Sequence, residues 1–378
     1  MAVTNGPIRV GVIGAGAISA SYLENLKSFP DVDVVIVGDL DTDRSAARAQ
    51  EFEVPKSGTA TDVIDNDAVE IVVNLTIPAA HAEVSAAALE AGKNVWSEKP
   101  VGVTRSEGAA LVRLASEKGL RLGVAPDTLL GPGMQTVRRI IESGAIGVPL
   151  SAQTLFQTPG PQLGHPNPEF LFQPGAGPLF DFGPYYFTAL ANIFGSFSRI
   201  AAHGAKSTDT RVVGSGPLAG TEFAVNVPTH VATLAQFEGG GVAQSVLSFD
   251  TQLQRMGFFE IYGSEATLSI PDPNRFTGRI RLAHAPDPAN RSLDHEIVWE
   301  DIEPEGALTA RGLGVLDLGR AIREERPHVA TGELGTHVLD ALVSAEESIE
   351  RGEFVDIATS IDPVPLLPVG FDPFARTL

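Results

Sequence analysis

The sequence predicts an N-terminal α/β domain built on a doubly wound parallel sheet, then a C-terminal α+β domain with a large, mostly antiparallel sheet. Three observations carry this expectation. Apolar β-branched runs alternate with stretches of helical period through the first third, the first of those runs passes directly into a glycine-rich turn, and after Asp127 the pattern changes to alternating strands. A length of 378 residues suits about two domains at roughly 150 residues each, and 43% hydrophobic residues supply packed cores.

Residues 8–13, 32–37, 70–75, 94–96 and 121–125 read as strands apolar on both faces, as in a parallel sheet covered by helices on either side. Between them Ile18, Leu23 and Leu26, and later Val84, Ala88 and Ala91, recur at helical spacing. Pro78 stands where the second of these helices begins and Gly92 where it ends. Thr104 with Glu107 forms a capping-box signature ahead of a helix that stops near Lys118 and Gly119. Beyond Asp127, a helix over 134–143 leads to a strand over 150–158. A Pro/Gly-rich run over 159–178 follows without periodicity, and loops of that length are usually functional or disordered. A helix over 179–194 comes next. Strands over 229–238 and 242–250 meet at Gly239, Gly240 and Gly241 as a hairpin, strands over 258–262 and 267–270 extend the sheet, and helices over 313–324 and 334–351 precede a Pro-rich tail. The expected domains are therefore 1–127 and 128–378.

Composition excludes several classes of function. Lys and Arg total 27 against 47 Asp and Glu, a formal charge of −20, which repels phosphate backbones and anionic headgroups and argues against nucleic-acid and membrane partners. The absence of cysteine removes disulfides, thiolate metal sites and thiol nucleophiles, and the 8 histidines form no His-x-x-x-His pair, so no metal is expected. The N-terminal residues show no basic segment leading into an apolar core and no run approaches ~18 apolar residues, so a cytoplasmic location is expected.

The strand over 8–13 opens into Gly14-Ala15-Gly16-Ala17-Ile18-Ser19. Gly14 permits the tight turn, Gly16 lets the backbone approach a pyrophosphate, and the N–H groups opening the helix at Ala17 and Ile18 stabilise it. Ser19 replaces the third glycine and is small enough to pack on the strand. The next strand ends at Asp39, 25 residues beyond Gly14, where a carboxylate accepts from ribose hydroxyls. Leu40 follows it, so no cation adjoins to bind a 2′-phosphate; NAD is expected rather than NADP, with Arg44 in the following helix as the residue that keeps NADP in view.

Ligands of such sheets bind beyond the carboxyl ends of the strands. Thr76 with His81, Glu98-Lys99-Pro100 and Asp127 stand at those ends, and Pro100 biases Lys99 towards an extended conformation. The GAGAIS turn, Glu98-Lys99-Pro100 and the segment Pro174-Gly175-Ala176-Gly177-Pro178-Leu179-Phe180-Asp181-Phe182-Gly183-Pro184-Tyr185-Tyr186, taken together and in this order, resemble the glucose-fructose oxidoreductase/inositol dehydrogenase/rhizopine-catabolism (Gfo/Idh/MocA) family over essentially the whole chain. The resemblance implies NAD(P)-dependent oxidation or reduction of sugars, cyclitols and related alcohols. It places Lys99 at the reacting hydroxyl and Asp181 and Tyr185 near it. From their place at the strand ends, Leu40, Thr76, Glu98 and Lys99 are expected beside the cofactor, and His81 is read as structural or beside the cofactor. Members commonly carry Asp-x-Gly-x-His where this chain has Tyr185, and some relatives use tyrosine there.

The chemistry asks for such a set. Removing hydride from a secondary alcohol requires a base for the hydroxyl proton, and burial beside a cationic nicotinamide ring lowers a lysine's pKa. Adjacent helix positions point about 100° apart, so one of Tyr185 and Tyr186 faces the site; the resemblance implies that the histidine's proton role passes to Tyr185, or else to Tyr186, and Tyr185 is taken as the proton residue with Tyr186 a substrate contact. Asp127 and His165, the latter between prolines in Gly164-His165-Pro166-Asn167-Pro168, are the other expected substrate contacts; Asp250 and Gln252 are weaker ones, and His230 is read as structural or beside the cofactor.

Three functions compete. The first is NAD-dependent hydride transfer at a ring hydroxyl. The second is redox-neutral glycoside hydrolysis, by oxidation at C3, elimination, hydration and re-reduction, with acidic or sulfonated sugars among the substrates. The third is a non-catalytic dinucleotide sensor. Antiparallel sheets with an uncovered face commonly pair across subunits, so a homodimer or homotetramer is expected.

Overall fold

The computed structural model describes residues 6–284, 286 and 297–378, so residues 1–5 of the N-terminal reading lie outside it. Contacts divide the chain into two compact units: Met1–Pro132 with Gly306–Leu339 and Pro363–Leu378, and Gly133–Glu305 with Asp340–Asp362. This differs from a single cut at 127/128, because late segments complete the first unit.

In the first unit β1 (Ile8–Ile13), β2 (Val32–Gly38), β3 (Ser57–Gly58), β4 (Ile71–Asn74), β5 (Asn94–Ser97) and β6 (Leu122–Val124) form a six-stranded sheet in the order β3-β2-β1-β4-β5-β6. Every pairing is parallel. The order reverses between β1 and β4, the switch point at which doubly wound sheets bind ligands. Ile8, Val10, Val12 and Ile13 are at most 1% exposed, as expected of a strand covered on both faces. The helices are α1 (Ala17–Ser28), α2 (Thr42–Glu51), α3 (Ala60–Ile64), α4 (Pro78–Glu90) and α5 (Arg105–Glu117). Pro78 opens α4, and the Thr104 capping box closes in both directions, with Glu107 N–H donating to Thr104 Oγ1 at 3.3 Å and Thr104 N–H to Glu107 Oε2 at 2.9 Å.

Helix α8 (Leu313–Arg323) presses on this sheet through Gly314, where a Cβ would stand 1.9 Å from the Trp96 ring. Its Arg320 donates to the fully buried Asp31 at 2.9 Å, and Asp31 also accepts from the main chain of Thr377 at 3.0 Å and of Leu378 at 3.1 Å. Burial works to raise the Asp31 carboxyl, but these donors outweigh it and hold it below the usual range.

After α6 (Pro132–Glu142), the second unit holds α7 (Gly177–Phe194) and a nine-stranded sheet. Its strands are β7 (Pro149–Gln157), β8 (Phe197–Ala205), β11 (His230–Phe237), β12 (Val242–Ser248), β13 (Arg255–Gly263), β14 (Ala266–Ser269), β15 (Ile280–His284), β16 (Glu300–Ile302) and β17 (Val355–Asp356), in the order β16-β15-β14-β13-β7-β12-β11-β8-β17. All pairings are antiparallel except β12 with β7. A separate hairpin pairs β9 (Thr210–Val212) with β10 (Glu222–Ala224). The expected Gly239–Gly241 turn joins β11 to β12 with Gly240 and Gly241 at φ of +89° and +88°. Helix α7 packs on β7, β11 and β12, and β11 alternates buried and exposed residues along its length.

The aperiodic run over 159–178 contains two short 3-10 turns, Pro161–Leu163 and Glu169–Phe172, before α7 begins at Gly177. Arg211 anchors it, donating to Pro159 O and Gln162 Oε1, each at 3.0 Å, while pairing with Asp250. Among the described residues no helix is long and apolar enough to cross a membrane.

Candidate active site

The carboxyl edge of the parallel sheet gathers the first group of residues. Gly14 sits at φ +105°, and a Cβ there would come 2.6 Å from Leu75 O, so the turn after β1 is closed to any other residue. Gly16 N-caps α1 without a side-chain cap, and a Cβ built on it meets nothing within 4 Å. Open space therefore lies at the amino end of α1, which presents free N–H groups and the positive end of the helix dipole, as a pyrophosphate needs. Ser19 does more than pack: fully buried, it donates its hydroxyl to Gly16 O at 2.6 Å.

Asp39, 8% exposed, braces this turn, accepting from Ala15 N–H at 2.7 Å and Asp41 N–H at 2.9 Å. A carboxylate has about four acceptor positions, so capacity for a ribose diol remains. Arg44 is engaged with Asp41 at 3.4 Å, not with Asp39. Ile18, Leu40 and Ile77, on the loops and helix starts after β1, β2 and β4, are 39%, 99% and 69% exposed. Apolar groups left in solvent around an uncapped helix start suit the flat rings of a dinucleotide.

Asn74 orders the turn after β4: it accepts from Thr76 Oγ1 at 2.7 Å and donates to Ser85 Oγ and His81 O, each at 3.0 Å. His81, 1% exposed, spans two loops, with Nδ1 2.6 Å from Pro100 O and Nε2 2.9 Å from Thr76 O. It is thus a brace between the ends of β4 and β5. Glu98 accepts the Lys99 main-chain N–H at 3.0 Å, which fixes the backbone from which the Lys99 side chain projects.

Asp127 does not join them as a substrate contact. It is fully buried, accepting from Gly312 N–H at 2.7 Å and Gly314 N–H at 3.4 Å and pairing with Arg311 at 3.4 Å. Burial pushes its carboxyl up, against the pull of Arg311 and the Gly312 N–H. Its work is to hold the start of α8.

In the second unit Asp181 and Tyr185 lie four residues apart on α7 and so share a face. Asp181 is half-buried and Tyr185 is 8% exposed, with its ring centroid 6.3 Å from that of Phe182. Tyr186 points elsewhere: it is fully buried, parallel to Phe259, accepts from Gly257 N–H at 3.1 Å and donates to Asp272 at 3.4 Å. Burial, followed by the nearby Asp272, pushes its phenol far above the usual range. The expected Tyr186 substrate contact is therefore corrected to a core hydrogen bond.

His165 is half-exposed; Asn167 N–H donates to its Nδ1 at 3.1 Å, which leaves the ring proton on Nε2. Its ring meets the exposed Phe170 edge-on at 5.5 Å. Asp250 is taken up by Arg211, Thr229 at 2.6 Å and Ser207 at 2.8 Å, and His230 meets Ser248 at 3.1 Å, so both are structural. Among the described residues no three His, Asp or Glu side chains are grouped to hold a metal. Sequence reasoning missed Tyr22 and Trp96, both fully buried near Glu98; a tyrosine on the apolar stripe of α1 was the available signal.

A parallel sheet that reverses order at an uncapped helix start, with a carboxylate closing β2, defines an NAD-binding Rossmann-fold protein. Residues 8–125 match the oxidoreductase family with an NAD-binding Rossmann fold, GFO/IDH/MocA, and residues 134–269 match the GFO/IDH/MocA C-terminal domain; the chain belongs to this family. Inositol 2-dehydrogenase 3 of Saccharopolyspora erythraea is 32% identical over 154 residues, 40% of this chain and 46% of that protein. Trans-1,2-dihydrobenzene-1,2-diol dehydrogenase of Mus musculus is 32% identical over 193 residues, 50% of this chain and 57% of that protein. The chain spans about half the length of these two curated relatives. A levoglucosan dehydrogenase solved with NADH and L-sorbose shares the fold, with a TM-score of 0.80 at 22% identity over 93% of this chain and 99% of that one.

Proposed function

We propose that the protein is an NAD-dependent enzyme that transfers hydride at a secondary ring hydroxyl of a sugar, cyclitol or glycoside, with Lys99, Asp181 and Tyr185 handling the proton. The observation that carries this reading is the anchoring of Lys99 at the end of β5, its main chain held by Glu98, on the sheet edge that opens at Gly16. The names of three of its relatives, an inositol dehydrogenase, a dihydrobenzenediol dehydrogenase and a levoglucosan dehydrogenase, support the substrate class.

Gly14, Gly16, Ala17, Ile18, Asp39, Leu40, Thr76, His81 and Glu98 are the residues proposed to hold the dinucleotide, and NAD is favoured over NADP because Asp39 is placed to accept from the ribose hydroxyls while Arg44 pairs with Asp41 instead. Bound there, the nicotinamide supplies the hydride acceptor. Lys99 takes the hydroxyl proton as the C–H bond yields its electron pair, Asp181 and Tyr185 pass the proton on, and the alcohol becomes a ketone. His165, through its Nε2–H, orients the substrate.

Lys99→Ala should lower the rate of reduced-nicotinamide formation by about 10²–10⁴-fold, the usual worth of a positioned acid–base group, while leaving NAD binding in place. Full activity in that variant, or inertness of the wild type towards every polyol and glycoside tested, overturns the reading.

A second reading, redox-neutral glycoside hydrolysis, is favoured by the exposed Phe170, 53% accessible and braced by His165, which suits a larger glycoside than a free cyclitol. Aglycone release without net NAD reduction, with solvent deuterium entering at C2, distinguishes it. The proposed setting is the cytoplasm, as a homodimer or homotetramer. A half-exposed apolar row across the large sheet, Ala232, Val246, Leu155 and Phe258, supports the oligomer, and molar mass in solution tests it.

A further inference from the structure

We infer that Tyr22 is a positioning residue for Lys99, acting through a one-way hydrogen-bond chain that runs from Trp96 through Tyr22 to Glu98. The inference rests on the proposed role of Lys99. Three groups make up the chain. The Trp96 Nε1–H donates to the Tyr22 hydroxyl oxygen at 3.2 Å, the Tyr22 hydroxyl donates to Glu98 Oε1 at 2.8 Å, and Glu98 Oε2 accepts the Lys99 main-chain N–H at 3.0 Å.

The direction of every bond is fixed by chemistry. An indole N–H can only donate and a carboxylate can only accept, so the phenol between them must accept from one and donate to the other. Tyr22 has no alternative rotor, and the Glu98 carboxylate is held at both oxygens. Glu98 N–H donates in turn to Asn74 O at 2.9 Å, so the main chain entering Lys99 is tied to β4 as well. Tyr22 and Trp96 are fully buried, where no water competes for these bonds. Burial, then the charges of Glu98 and Asp127, push the Tyr22 phenol well above its usual range against the opposing pull of Arg311 and the indole bond, so it remains a donor throughout the working pH range.

Tyr22 belongs to α1, the helix whose amino end opens at Gly16, and Trp96 to β5, the strand that delivers Lys99. One hydroxyl therefore registers the dinucleotide helix against the proton-handling residue. A side chain needed only to fill the core would do equally well as phenylalanine; the hydroxyl is what the positioning role uses.

The test is Tyr22→Phe, which keeps the ring and removes the hydrogen bonds. Trace acetylation of the intact protein, read peptide by peptide across pH, reports Lys99 reactivity against Lys56 as an internal standard and needs neither substrate nor turnover. The expected result is a shifted Lys99 reactivity profile with Lys56 unchanged, NAD affinity by calorimetry within about twofold, and turnover lowered roughly 10- to 100-fold, as the loss of a charge-assisted hydrogen bond supports. Glu98→Gln, at a half-exposed position, perturbs the same link without disturbing the core, and adding Tyr22→Phe to it should then change Lys99 reactivity by no more than about twofold, the non-additivity of a shared chain. A Lys99 profile that superimposes on the wild type in Tyr22→Phe, or full additivity with Glu98→Gln, overturns the positioning role even if Lys99→Ala abolishes activity. If no alcohol is oxidised while the Lys99 profile still shifts, the functional reading fails and the positioning of Lys99 by Tyr22 stands.

Discussion

Tyr185 and Tyr186 are neighbours with the same side chain, and burial separates them. Tyr186 has its hydroxyl committed to Gly257 and Asp272, whereas Tyr185 shares a helix face with Asp181. Tyr185→Phe should lower turnover about 100-fold, within the range of a lost acid–base group. Tyr186→Phe should leave turnover within about twofold and destabilise by about 1 kcal/mol, the net worth of one buried hydrogen bond. Steady-state rates and denaturation midpoints of the pair check this, and equal kinetic losses refute the assignment. The sequence put both beside the substrate, because the partners that hold Tyr186 in the core lie some 70–90 residues downstream, where no local pattern reveals them. Asp127 misled for the same reason: a carboxyl at the end of a parallel strand looks catalytic, and its partners Arg311, Gly312 and Gly314 lie about 185 residues further on.

At the scale of elements, what is encoded locally was legible. The glycine turn, Pro78 at the start of α4 and the Thr104–Glu107 box are contained within a few residues, and the structure forms each of them. Strands with weak alternation were not singled out; β8, with Arg199 and His203 on its exposed side, is an example. The connection from α8 to α9 (Gly332–Arg351) holds a further unanticipated group, His328, 8% exposed against Leu122 O of β6 at 3.1 Å. Burial pushes its imidazole from 6.5 down to about 4, only partly opposed by the Leu122 bond. Between those two pH values the unfolded chain binds a proton that the folded chain refuses, so this residue makes stability fall as pH drops through that window, by at most about 3 kcal/mol. Asp127 and Asp317, whose carboxyls burial raises, titrate with the opposite sign, so the informative comparison is between proteins. His328→Gln, which still donates to Leu122 but does not titrate, should show a smaller loss of stability from pH 7 to pH 5 than the wild type. Parallel slopes in chemical denaturation would refute it.

For the whole molecule, the alternation of strands and helices was readable as two kinds of sheet, but the route of the chain through its two units was not. Asp31 and Arg320 are 0% and 3% exposed, and removing one partner of such a buried pair costs about 3–5 kcal/mol. A fragment of residues 1–132 would lose Arg320 from Asp31, Arg311 from Asp127 and the cover of Gly314 over Trp96. It should show no cooperative thermal transition, whereas the full chain should; a sharp melt in the fragment would show that the first unit is self-sufficient. The charge of −20 also takes a narrower meaning, since an acidic exterior leaves the sheet edge free to present an uncapped helix start and Lys99.

The passage of the chain out of the first unit and back into it has a consequence for synthesis. At about 5–20 residues per second, the ribosome delivers the whole parallel sheet long before Arg320 and Thr377 emerge, so the nascent sheet waits with Asp31 unpaired and Trp96 uncovered. The second unit's sheet, finished by β17, is likewise assembled while the first is incomplete. The first unit to begin is thus closed only after the second is laid down, and a factor that shelters exposed apolar surface on the growing chain would act on the parallel sheet until residues 363–378 arrive.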